Sequence, residues 1–396
     1  MSVRHRSGLT AAAAVILLSL NLRTLFASLP PLLGDVQADL GLSATASGRL
    51  TTGPVLCLGL VAPLAPWLAR RTAVERILWL GLAATAVGLA MRGRESVAWL
   101  FAGTLLAGAG VAVAQVALPV LIRVRQPGRT GSLLGVFSMA IALSGTIAAA
   151  ASVPLDRALG SWPAALAIWA LPAAAVCVLW ALPALRARQA SVEDRPHRPW
   201  RSPVGWWLGA FFGMQSAAFY ATLAWLPTML QDRGVSERNA GLLLGLVTFA
   251  SFAPAFLLPV LATRRVDQRR LLAVTVAVPV AGLAGLAVAP GAAAVWVTLV
   301  GVGQGATLGL GLILPVLRAR DPDHVAPLLA MTQFIGYTLA AGGPWLLGFV
   351  HDLAGNWTAP LYVLLAITAL ELPPGLVAAR GNARRAAPDA ALSRTG

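Results

Sequence analysis

The sequence predicts an all-α membrane protein of twelve transmembrane helices, arranged as two parallel six-helix repeats. Three observations point there. Of its 396 residues, 58% are hydrophobic and 11% charged, with a mean hydropathy of +0.75, where soluble domains carry about 25% charge. The apolar residues gather into twelve runs of spanning length. Four pairs of short segments recur at a nearly constant distance along the chain.

The runs lie near 9–33, 44–68, 76–91, 97–122, 132–154, 162–182, 204–230, 240–262, 271–289, 292–317, 325–350 and 358–378. The third is short. Continuous apolar runs exclude an outer-membrane barrel, whose strands alternate over roughly ten residues. All 30 basic residues are arginine, and they set the orientation. A cytoplasmic N-terminus puts Arg4, Arg6, Arg70, Arg71, Arg76, Arg123, Arg125 and Arg129 on one side. The arginines of the 186–201, 264–270, 318–320 and 380–394 segments join them. Only Arg92, Arg94, Arg157, Arg233 and Arg238 fall opposite, while Arg23 and Arg49 lie within runs. This bias predicts cytoplasmic termini and an inner-membrane, multi-pass protein. The longest connection divides the chain into a half at 1–183, a cytoplasmic linker at 184–203 and a half at 204–396.

The two halves repeat each other. PWLARR from Pro66 returns as PVLATRR from Pro259, and LPVL from Leu118 returns from Leu314. GSW from Gly160 matches GNW from Gly355, and LPPLL from Leu29 matches LPTML from Leu226. The offsets run from 193 to 197 residues, a spacing that chance does not repeat four times. Six helices per half keeps both halves in one orientation, related by an axis along the membrane normal. A cleaved leader would have no internal copy at the seventh helix, so the first run is read as a span.

Twelve helices in two such repeats resemble the major facilitator superfamily. NLR from Asn21, the following LPPLLGDVQADLGLS, QVALPVLIR from Gln115, AWLP from Ala224 and QFIGY from Gln333 narrow the resemblance to the family of cyanate and 2-nitroimidazole transporters. The resemblance implies alternating access, with the substrate site between the halves. The chain departs from the superfamily's loop motif, having APLAPWLARR where an aspartate follows the second helix.

Arg23 is the residue that composition does not explain. Counted from Leu9 at about 1.5 Å per residue, it lies about 21 Å into the first helix, beyond the reach of snorkelling. An arginine at mid-helix costs about 2.5–3.5 kcal/mol to insert. A carboxylate would offset that, yet all acidic residues except Glu371 fall in loops or at helix ends. A central cation without a fixed counter-charge is a site for a mobile anion. The competing reading is a structural tie to backbone carbonyls and amides. Asn21, Gln215, Tyr220, Gln304, Gln333 and Tyr337, with Gln115 closer to the cytoplasm, supply neutral hydrogen bonds, and interhelical bonding is the alternative for each. Arg49, near a surface, is expected to snorkel or to meet Asp35 or Asp39. Trp225 is placed either as a site wall or in packing.

The expected function is a monomeric secondary transporter of a small anion, cyanate-like or carboxylate-like, with Arg23 central. The alternative is export of small neutral drugs such as nitroimidazoles. Scattered charge gives no basic face for nucleic acid. No cluster of His, Cys and Asp suggests catalysis, a metal or a cofactor, so no enzymatic activity is expected. Cys57 and Cys177 are read as packing residues.

Overall fold

The computed structural model describes residues 13–61, 71–126, 129–187, 199–319 and 322–381, and every regular element among them is a helix. The N-terminal basic residues, residues 66–70 of the PWLARR segment and residues 188–198 of the expected linker lie outside the described residues. In chain order the elements are a divided α1, α2 (Ala44–Val61), α3 (Val74–Met91), α4 (Val97–Arg125), α5 (Thr130–Leu159) and α6 (Trp162–Arg186). They continue as α7 (Pro203–Gln231), α8 (Glu237–Thr263), α9 (Arg269–Val288), α10 (Ala293–Arg318), α11 (322–354) and α12 (Thr358–Ala378). Eight are long and apolar enough to cross a membrane outright, and the two pieces of α1 qualify together. The described part of α2 stops short of its apolar run, α7 carries buried Gln215, Ser216 and Thr222, and α11 breaks at Ala341.

The first helix departs from the continuous span the sequence suggested. It forms two pieces, Ala13–Ser19 and Thr24–Leu40, inclined at 42°. Asn21 explains the break. The Asn21 and Leu22 backbone N–H groups donate three residues back, to Leu18 at 3.4 Å and Ser19 at 3.1 Å. Asn21 Nδ2 then donates to the Leu17 carbonyl at 2.8 Å, so a side-chain amide satisfies a group that the broken ladder leaves open. Further on, Pro30 and Pro31 tighten the chain into a 3-10 turn.

The twofold relation inferred from the offsets reappears in contacts. Gly48 of α2 backs onto the Pro344 carbonyl of α11, while Gly241 of α8 backs onto the Ala149 carbonyl of α5. These are the same pair of positions in the two repeats. Both α5 and α11 end on left-handed glycines, Gly160 at φ 63° and Gly355 at φ 67°, a conformation that costs a side chain and spares glycine. Gly301, Gly305 and Gly309 face the backbone of Val247, Ser251 and Ala255 on α8. The bare glycine face seen in the sequence is therefore the α8–α10 seam.

Three outlying expectations resolve here. Arg49 is exposed, and among the described residues no carboxylate lies within 4.0 Å of it; Asp39 instead accepts from Trp162 Nε1 at 2.8 Å. Trp225 is fully buried, donates to the Pro344 carbonyl at 2.7 Å and packs on Trp357, so it holds helices together. Arg92, assigned to a connection, is instead completely buried at the end of α3.

Candidate substrate site

Arg23 stands at the gap in α1, in the N-cap position of its second piece. The helix break does more than bend the chain. It sets Arg23 where its side chain makes no cap bond and turns instead to α7. Gly145 on α5 makes room for the side chain, since a Cβ there would press on Arg23 Cγ at 3.0 Å.

The guanidinium meets no carboxylate within 4.0 Å among the described residues. Its Nη1 donates to Tyr220 Oη at 3.1 Å. The group lies over the Phe219 ring at 4.8 Å from the centroid, and 5.7 Å from that of Tyr220. Ring faces attract a cation without neutralising it. Arg23 and Tyr220 are 197 residues apart, the offset that relates LPPLL to LPTML. They are the same position in the two repeats. Equivalent residues that touch lie on the axis relating them, so this contact marks the centre of the molecule.

Other candidate residues divide into two groups. Tyr337 stands with Tyr220, ring centroids 6.4 Å apart, and Gln115 is half-buried on α4. Gln333 is half-buried one turn away on α11. By contrast, Gln215 Nε2 donates to the Gln304 carbonyl at 3.4 Å, and Gln304 Nε2 donates to Thr222 Oγ1 at 2.9 Å. Those two glutamines tie α7 to α10. Asn21 serves the α1 break. Several buried polar atoms near these helices have no partner: Asn21 Oδ1, Ser28 Oγ, Thr104 Oγ1 and Gln304 Oε1.

Aromatic side chains complete the surroundings. Phe26 packs on Tyr220 at 5.4 Å and Phe212 on Tyr337 at 5.2 Å. Beside Tyr220 a narrow cavity runs between α1, α2, α4 and α7, lined by Phe26, Leu29, Leu50, Pro54, Thr104 and Leu223 among others. None of Phe26, Phe219 or Thr104 stood out in the sequence, where two are ordinary aromatic residues of apolar runs and the third one of many threonines.

Two six-helix repeats closing on a central cation define a membrane transporter. The Major Facilitator Superfamily model matches residues 11–341, and the chain belongs to that superfamily as a secondary transporter of a small solute. It is 35% identical over 384 residues to the 2-nitroimidazole transporter of Escherichia coli, covering 96% of this chain and 98% of that protein. It is 31% identical over 347 residues to the cyanate transport protein CynX of the same organism, covering 87% and 90%. Among solved structures, a bacterial homologue of the human lysosomal transporter Spinster, inward-facing and occupied, superposes with a TM-score of 0.75 at 16% identity, over 97% and 99% of the two chains. That likeness speaks to the fold.

Proposed function

We propose that the protein moves a small monovalent anion across the bacterial inner membrane by alternating access, with Arg23 as the residue that binds it. The observation carrying this reading is a central guanidinium whose partners are a phenol and two ring faces, with no carboxylate within ion-pair distance among the described residues. An intramembrane charge is costly unless something compensates it, and a mobile anion does so once per cycle. Tyr220, Tyr337 and Gln115 position it. Residues 1–183 and 204–396 rock against each other as two units joined through 184–203, acting within a monomer with both termini cytoplasmic. A relative named for cyanate supports an anion; the relative named for 2-nitroimidazole keeps a neutral nitro compound as the rival.

Two variants test it. Arg23→Lys keeps charge but loses the planar fork, so it binds weakly with altered preference among anions. Arg23→Gln loses anion binding yet folds, because removing a buried cation removes a desolvation cost. Normal anion affinity in a folded Arg23→Gln protein ends the reading, and nitroimidazole binding that survives in it favours the rival. Orientation is tested separately. In a protein whose native Cys57 and Cys177 are replaced, a cysteine at Gly291 should react with an impermeant maleimide outside sealed cells, and one at Val266 should not. The reverse pattern inverts the topology.

A further inference from the structure

The central cation has an apolar neighbour with a polar far end. The cavity beside Tyr220 is walled by Leu25, Phe26, Leu29, Leu50, Pro54 and Leu223, and also touches Thr51, Ala224 and Thr104. It has room for about one water molecule, and it lies as a seam between α1, α2 and α4 of one half and α7 of the other, so parting of the halves would widen it. Tyr220 belongs to both places, lining the cavity and accepting a hydrogen bond from Arg23 on its hydroxyl oxygen.

Thr104 makes the cavity more than a packing gap. Among the described residues, buried Thr24, Thr85, Thr222, Thr248, Thr275, Thr307, Thr332 and Thr368 each donate to a carbonyl three or four residues back. That is how a threonine satisfies itself inside a membrane helix. Buried Thr104 does not, and its Oγ1 has no partner. A hydroxyl without a bond in an apolar wall is expensive, and this one lines the cavity.

We infer that the substrate is a small organic acid rather than an inorganic anion. Its carboxylate docks on Arg23 and Tyr220. Its apolar body, about one ring in size, enters the seam between Phe26, Leu50, Pro54 and Leu223. A hydroxyl or similar polar group at its far side bonds Thr104. The aromatic walls suit a flat ring, which stacks or meets an edge at little cost in entropy. A hydrated inorganic anion would gain nothing from these surfaces. This inference rests on the anion reading of Arg23 and adds the body that travels with the charge.

The test is a panel of formate, cyanate, benzoate and the three hydroxybenzoates, each titrated against purified protein by ligand-induced thermal stabilisation or calorimetry. Benzoate should bind at least tenfold more tightly than formate. In Ala224→Leu, which fills the seam, the benzoate-to-formate affinity ratio should fall at least tenfold. In Leu50→Ala, which widens it, 2-naphthoate should gain on benzoate. One hydroxybenzoate should exceed benzoate in the native protein, and that advantage should fall about fivefold in Thr104→Val. Ratios report the seam, whereas Arg23→Gln reports the charge. If formate and benzoate bind alike, and Ala224→Leu and Leu50→Ala leave every ratio unmoved, the organic-acid inference fails while the anion reading stands. If Arg23→Gln keeps its affinity for all six anions, the anion reading fails with it.

Discussion

Asp352 and Arg157 occupy the same position in the two repeats, each three residues before a left-handed glycine, and each fastens the same end of the bundle. Asp352, at the end of α11, accepts the backbone N–H of Ala44 at 3.1 Å and of Thr45 at 2.8 Å, at the start of α2. Arg157, at the end of α5, pairs with Glu237 at 3.6 Å, the first residue of α8. Ala44 and Glu237 are themselves equivalent, at the offset that relates Pro66 to Pro259. One fastening uses a carboxylate on a helix N-terminus and the other uses an ion pair. Together they close the end of the molecule that our topology turns outward.

Opening that end breaks both contacts. Asp352→Asn should raise the rate at which a cysteine at Thr51 reacts with an impermeant maleimide, by about fivefold if one such bond is worth about 1 kcal/mol. Arg157→Gln should do less, because its pair is exposed. An unchanged rate in the double variant would show that the two contacts do not close the passage.

Acid should act like the asparagine variant. Burial pushes the Asp352 carboxyl up, but the donors from Thr45 and Ala44 outweigh it and hold it below the ordinary carboxylate range. A group depressed in the closed state stabilises that state above its free pKa, near about 4, and the benefit disappears as pH falls through the depressed value. Reactivity at position 51, taken relative to the Asp352→Asn protein at the same pH so that the falling thiolate fraction cancels, should therefore rise on acidification through that window.

Between pH 5 and 8 the substrate site itself should be silent. Tyr220 bonds Arg23 and Tyr337 stands beside Tyr220, and neither tyrosine has a reference pKa in that range. Anion affinity should follow only the ionisation of the ligand. A titration belonging to neither the ligand nor a loop histidine would reveal an acid or base that this geometry lacks.

Tyr220→Phe keeps the ring against Phe26 and Phe219 and removes only the hydroxyl that Arg23 donates to. We expect thermal stability within a degree or two of the native protein and anion affinity reduced about fivefold, the worth of one neutral hydrogen bond. A large loss of stability with unchanged affinity would make Tyr220 structural.

Gly305→Ala should be the more damaging substitution for folding. Its Cβ would collide with the Ser251 backbone, so α8 and α10 must separate along their seam, at about 1–3 kcal/mol. Gly291→Ala, whose Cβ meets nothing within 4 Å, is the control. Comparable melting temperatures would mean the seam yields easily.

Apolar runs and recurring segments announced the helices and their pairing, because both are written in composition and spacing. Arg23 was legible for the same reason, as an expense with no visible compensation. Its partner was less so. Tyr220 stood among the candidates, but only the twofold axis brings it opposite Arg23, and an axis is a property of the folded pair. Asn21 was noticed for its polarity, while its service to the Leu17 carbonyl depends on a break that no periodicity signals. Gln215 and Gln304 looked like site residues by depth alone; depth does not say which way a side chain turns. Thr104 differs from eight other buried threonines only in a bond it does not make.

A position on a twofold axis has no second copy, and that has an electrical consequence. The contacts that close the bundle come in pairs, but the Arg23–Tyr220 junction exists once, so it contributes one fixed positive charge rather than a symmetric pair. Loaded with a monovalent anion the junction is neutral, and empty it is not. Voltage then acts on the unladen return rather than on the laden crossing. An inside-negative potential of 100 mV, worth up to about 2.3 kcal/mol per charge, draws the empty carrier to face the cytoplasm and leaves the loaded one indifferent. Uptake would be slowed at the step where nothing is carried.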